Sequence, residues 1–124
     1  MTDRHLIIVA ALILLMGVGT GAFGAHGLKR VLSPDMLAVW HTAVTYQMLH
    51  GLGLLALAAL GPRFGSPLLS GAGIVMLAGI VLFSGSLYLL ALSGTRWLGA
   101  ITPLGGLCFI IAWAMVALAA YRHA

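Results

Sequence analysis

Four long apolar runs, parted by short polar and basic clusters, make up nearly the whole chain. Inside the runs the breaks are mostly glycine, serine, threonine and a few aromatic or histidine side chains. The first run predicts a helix over about residues 5–27. From His5 to His26 it extends roughly 33 Å at ~1.5 Å per residue, enough to cross a hydrocarbon core of about 30 Å. Arg4, the apolar stretch and the small residues 22–25 imitate a secretory signal. Apolar character nevertheless persists from Leu6 to Ala25, so the stretch reads as a retained first helix.

Local chemistry marks the next three helix starts. Ser33-Pro34, Ser66-Pro67 and Thr102-Pro103 each precede an apolar run. A serine or threonine caps free backbone N–H groups, and proline in the first turn lacks an N–H that would go unbonded anyway. Gly61-Pro62 and Ser93-Gly94 act as stops. The expected spans are therefore 34–60, 67–92 and 102–121, with a short entry turn over 98–101. The second, ~40 Å long, must tilt or project from the membrane, with Trp40 as an interfacial anchor. No internal repeat or long linker divides the chain. Residues 1–124 read as one all-α domain, an antiparallel bundle of four transmembrane helices with both termini on one side.

Composition removes the competing classes. Hydrophobic residues make up 62% and charged residues 6%, whereas soluble domains carry about 25% charge. That excludes an ordinary soluble domain and a disordered one. The net charge of +4 comes from six Lys/Arg against Asp3 and Asp35. The basic residues stand at the ends of the runs as membrane anchors do, which argues against a nucleic-acid partner and for the lipid bilayer. Arg4, Arg63 and Arg122 on the terminal side balance Lys29, Arg30 and Arg96 opposite, so charge sets no orientation. Cys108 is the one cysteine, so no intrachain disulfide forms. Gly17, Gly21 and Ala25 form a small-residue stripe that permits close backbone approach, either within the chain or between two copies.

The chemistry concentrates in residues 40–50, WHTAVTYQMLH. At about 100° per residue, Thr42, Tyr46, His50 and Gly53 share one helix face, with Gln47 on its flank and His41 roughly opposite His50. Such a face must turn away from lipid. Tyr46 falls about 18 Å and His50 about 24 Å along the second helix, which puts His50 close to the middle of the bilayer. Ser84 and Tyr88, four residues apart on the third helix, lie at a depth that lets them approach Tyr46. A pocket between helices 2 and 3 is expected, lined by Thr42, Tyr46, His50, Ser84 and Tyr88. Gln47, and His26 near the interface, complete the ligand-binding candidates.

Three roles suit these side chains. They can hydrogen-bond between helices. They can bind a lipid, a quinone or another amphiphile, because His and Tyr both grip a carbonyl. Or His50 can serve metal, haem or proton chemistry. His26 and His41, even with Asp35 as a third group, fall short of a closed four-ligand zinc site. No metal and no cofactor is expected. There is no Ser-His-Asp set, HExxH, CxxC or P-loop, so no enzyme is indicated. A carrier or channel would need an intramembrane carboxylate or a broken helix, and only Gly105-Gly106 after Pro103 resembles a break.

Four motifs in order, GAFGAHGL at 21–28, TAVTYQMLH at 42–50, FSGSLY at 83–88 and TPLGG at 102–106, resemble the YgdD-like family of small four-helix inner-membrane proteins, domain of unknown function 423. The resemblance spans nearly the whole chain. It implies a multi-pass protein of the bacterial inner (plasma) membrane and carries no activity with it. The matching polar positions are His26, Thr42, Tyr46, Gln47, His50, Ser84, Ser86, Tyr88 and Thr102; His41 lies outside the pattern. The expected function is that of a non-enzymatic membrane component associating with itself as a homo-oligomer, with a membrane-protein partner or with lipid. The alternative is small-molecule binding in the His/Tyr pocket, and a third is a small carrier or channel.

Overall fold

The computed structural model describes residues 3–123. It contains four helices, α1 (Asp3–His26), α2 (Pro34–Phe64), α3 (Pro67–Ser93) and α4 (Thr102–His123), with a short 3-10 helix, Arg96–Ala100, leading into α4. All four α-helices are long and apolar enough to cross a membrane.

The starts of α2 and α3 follow from capping. The Ser33 hydroxyl accepts from the Met36 N–H at 3.2 Å, and the Ser66 hydroxyl from the Leu68 N–H at 3.2 Å. Thr102 behaves differently. It is the first residue of α4, and its hydroxyl lies 2.7 Å from the Ser86 hydroxyl instead of capping the helix. The 3-10 helix has already turned the chain, so threonine is free to tie α4 to α3.

α2 continues past the expected stop at Leu60 to Phe64. Pro62 removes one N–H, which leaves only the Ala58 carbonyl without its helical donor. Its ring is exposed, two residues before the helix ends. The helix ends instead at Gly65, whose left-handed backbone (φ 56°) lets its N–H reach the Gly61 carbonyl. α3 closes the same way at Gly94, its last helical residue, Ser93, being one beyond the expected end. At 31 residues α2 is about 46 Å long and exceeds the core thickness.

Each helix packs on the one before it: α1 on α2, α2 on α3, α3 on α4. α2 and α3 form the centre, and α1 and α4 flank them. The core joins Leu6, Ala10 and Ile13 of α1 to Leu54, Leu57, Met76, Ile80, Phe109 and Ala112 of the other helices. Large apolar side chains such as Leu15, Val81 and Ile110 point outward, toward lipid.

Glycines set the two closest approaches. A Cβ on Gly24 would overlap the Trp40 indole, and Gly17 and Gly21 lie against Met48 and Val44. The stripe on α1 thus seats α2 of the same chain, while Ala25 stays exposed. A Cβ on Gly105 would sit 2.7 Å from the Phe83 Cα, so α4 lies backbone to backbone on α3.

Candidate functional site

The polar residues divide into two groups on opposite sides of α2. The first group joins α1, α2 and α3. The Gln47 amide donates to the Ile13 carbonyl at 2.9 Å, and its oxygen accepts from the Tyr88 hydroxyl. The Thr20 hydroxyl lies 2.9 Å from the Tyr88 oxygen and 3.2 Å from the Gly17 carbonyl. With the Tyr88 proton given to Gln47, Thr20 is the donor in this set. The Trp40 indole donates to the Thr20 carbonyl at 2.8 Å and meets the Tyr88 ring edge-on, centroids 4.6 Å apart. One turn further along, the buried Ser84 hydroxyl donates to the Ala43 carbonyl at 2.7 Å.

The second group faces α4. His50 Nδ1 lies 2.9 Å from the Tyr46 carbonyl. A carbonyl only accepts, so the proton is on Nδ1 and Nε2 offers a lone pair. The Trp113 indole N–H donates to it at 3.1 Å. Both nitrogens of the neutral ring are thereby satisfied. The imidazole also stacks on Phe109 at 3.6 Å, with the planes 10° apart. Tyr46 lies against Phe83, ring centroids 4.5 Å apart. Its carbonyl serves His50, but its hydroxyl has no hydrogen-bond partner among the described residues.

Two clefts open sideways from these groups. One, of about 550 Å³, is bounded by Tyr46, His50, Phe83, Pro103, Gly106, Phe109 and Trp113, with Ile110 at its rim. The other, of about 540 Å³, lies between α1 and α3. Its walls include Val9, Met16, Leu77 and Val81, and Thr20, Gln47, Ser84 and Tyr88 line its floor. A smaller hollow of about 350 Å³ at the terminal side is lined by Asp3, Gly61, Ser66 and Ser70 among others.

The structure does not assemble the expected pocket between helices 2 and 3. Thr42 is exposed, and its hydroxyl bonds back to the Ala38 carbonyl of its own helix at 3.0 Å. Ser84 is sealed against Ala43. Tyr88 turns to α1 and Gln47, away from Tyr46. Tyr46 and His50 do share a face, as their spacing implies, but they look toward α4. His26 is exposed in the last turn of α1 and belongs to neither group. Trp40, expected at the headgroups, is 5% exposed and bolts α2 to α1. Among the described residues no three His, Cys, Asp or Glu side chains come together to hold a metal.

Sequence reasoning missed Thr20, Phe109 and Trp113. A tryptophan midway along an apolar helix signals a buried N–H that needs an acceptor, and His50 is the matching acceptor at mid-membrane.

A family model described as "Protein of unknown function (DUF423)" matches residues 20–106. The UPF0382 membrane protein YwdK of Bacillus subtilis is 51% identical over 118 residues, covering 94% of this chain and 96% of the relative. UPF0382 membrane proteins of Staphylococcus saprophyticus (51% over 116 residues, 94% of this chain and 96% of the relative) and Staphylococcus haemolyticus (50% over 116 residues, 94% of each) are similar. No solved structure matches the chain.

Proposed function

We propose that this chain, which belongs to the DUF423 family of membrane proteins of unknown function, is a non-enzymatic membrane component that holds a lipid-soluble amphiphile in the lateral cleft among α2, α3 and α4. The observation that carries this reading is the cleft itself. It has about 550 Å³ of space beside a span face that bears both aromatic rings and polar groups. Apolar walls with a few placed polar groups are the usual make-up of a small-molecule site.

Other features support the choice of ligand holding over catalysis or metal chemistry. Both nitrogens of His50 are already engaged, so a metal or a substrate proton would have to displace Trp113 or the Tyr46 carbonyl. Gln47, Tyr88, Thr20 and Ser84 are taken up in joining helices. The glycine stripe of α1 already seats α2.

Native mass spectrometry of protein extracted from its own membrane in mild detergent tests the reading. One amphiphile retained per chain, identified after extraction, is the expected result. A chain that flies bare under conditions that preserve its fold would overturn it.

A further inference from the structure

The two lateral clefts are nearly equal in size and differ in one respect. In the cleft between α1 and α3, every polar side chain of the floor is hydrogen-bonded within the protein. An occupant there would find only apolar wall. The cleft among α2, α3 and α4 is lined by Tyr46, whose hydroxyl has no hydrogen-bond partner among the described residues. Of the hydroxyls more than one turn inside the described helices, Thr20, Thr42, Thr45, Ser84, Ser86 and Tyr88 are all bonded. Tyr46 alone is not. A phenol O–H without an acceptor is unfavourable in the hydrocarbon core, and an occupant of the cleft that brings an acceptor would relieve it.

Position narrows the occupant. Helical side chains lean toward the N-terminus of their helix. The Tyr46 hydroxyl, attached about 18 Å along α2, therefore leans toward the membrane side that bears the first and third connections. That side carries Lys29, Arg30 and Arg96 against the single acid Asp35. From Pro103 the cleft runs inward to Trp113, about 15 Å along α4, between Phe83, Phe109 and Ile110. At its inner end lie His50 and Trp113, whose polar atoms satisfy each other. The arrangement offers a donor on the connection side of the midplane and an apolar channel leading inward past it, while the positive charge beyond the helix ends is the same on both sides of the bundle.

Resting on the amphiphile-holding reading, we infer that the cleft seats one acyl chain of an anionic glycerophospholipid, with its ester carbonyl accepting from the Tyr46 hydroxyl and its phosphate toward the first and third connections and their Lys29, Arg30 and Arg96.

The test uses the full chain in nanodiscs of equal dioleoyl phosphatidylglycerol and dioleoyl phosphatidylcholine, released and weighed by native mass spectrometry. Wild type, Tyr46→Phe and Gly106→Leu are compared, with helicity and elution volume as folding controls. Tyr46→Phe removes only the hydroxyl. Gly106 lines the cleft, and a Cβ there would meet nothing nearer than the Phe83 Cδ2 at 4.0 Å, so leucine occupies the chain's path. Should that variant misfold, Ile110→Trp at the rim blocks the same opening. The expected result is one phosphatidylglycerol held by wild type, about two- to tenfold weaker retention in Tyr46→Phe, and loss in the blocked variant. Equal retention in all three overturns the inference and leaves the broader reading standing with its ligand elsewhere. Equal retention of phosphatidylcholine removes the anionic preference. A quinone found in place of phospholipid in the natively extracted protein overturns the ligand class. Wild type with no retained amphiphile of any kind ends both the inference and the reading beneath it.

Discussion

Gln47 offers the sharpest quantitative test of how the spans hold together. It makes two interhelical bonds, donating to the Ile13 carbonyl and accepting from Tyr88. Gln47→Met keeps the length of the side chain and most of its packing but removes both bonds. Side-chain hydrogen bonds between membrane helices contribute about 0.6 kcal/mol each on average, because the unfolded chain in lipid also finds partners. Two of them give about 1.2 kcal/mol, or roughly an eightfold fall in the folded-to-unfolded ratio. Tyr88→Phe loses the bond to Gln47 and the contact with Thr20, so its cost is similar. The double variant should cost less than the sum of the singles, since the shared bond is counted twice. The coupling should lie between about 0.6 and 1.7 kcal/mol. Reversible unfolding in mixed micelles, run as a double-mutant cycle, measures it. A coupling below about 0.3 kcal/mol, within the range of independent sites, would refute the direct Gln47–Tyr88 bond.

Gly105→Ala should destabilise the bundle by about 1–3 kcal/mol in the same assay, because its Cβ would meet the Phe83 backbone; an unchanged midpoint would refute the close approach of α3 and α4. Gly85→Ala, with nothing within 4 Å of the added atom, should stay within about 0.5 kcal/mol of wild type and serves as its control. Nitrogen-15 NMR should find His50 neutral with its proton on Nδ1, and Trp113→Phe should shift the Nε2 resonance by removing its donor. A proton found on Nε2 would refute that pairing.

Local chemistry made much of the fold legible in the sequence. The caps of α2 and α3 act over two or three residues, so Ser33 and Ser66 could be read without knowing what surrounds them. Gly61-Pro62 misled because proline near a helix end forfeits a single bond, and whether the helix tolerates that depends on what lies around the ring. The angular spacing of Tyr46, His50 and Gly53 correctly puts them on one face; all three meet α4 residues. Periodicity gives the face but not the helix it meets. That information sits in Trp113 and Phe109, some 60 residues further on, and emerges only when the helices are packed. Gln47, on the flank of that face, turns the other way to α1 for the same reason.

The sequential packing of the spans bears on how the protein is made. A helix that packs chiefly on its predecessor can dock as soon as it leaves the translocon, without waiting for the spans that follow. The first two spans would already join through Trp40 and the glycines of α1. At that stage the Gln47 side-chain oxygen and Tyr46 have no third helix beside them. Arrival of α3 brings the Tyr88 proton to Gln47. Only emergence of α4 supplies Trp113 to His50 and sets Phe109 beside Tyr46. A chain interrupted before residue 102 would thus expose a polar mid-membrane histidine, a feature by which quality-control proteases that survey the bilayer can tell it from one that carries α4.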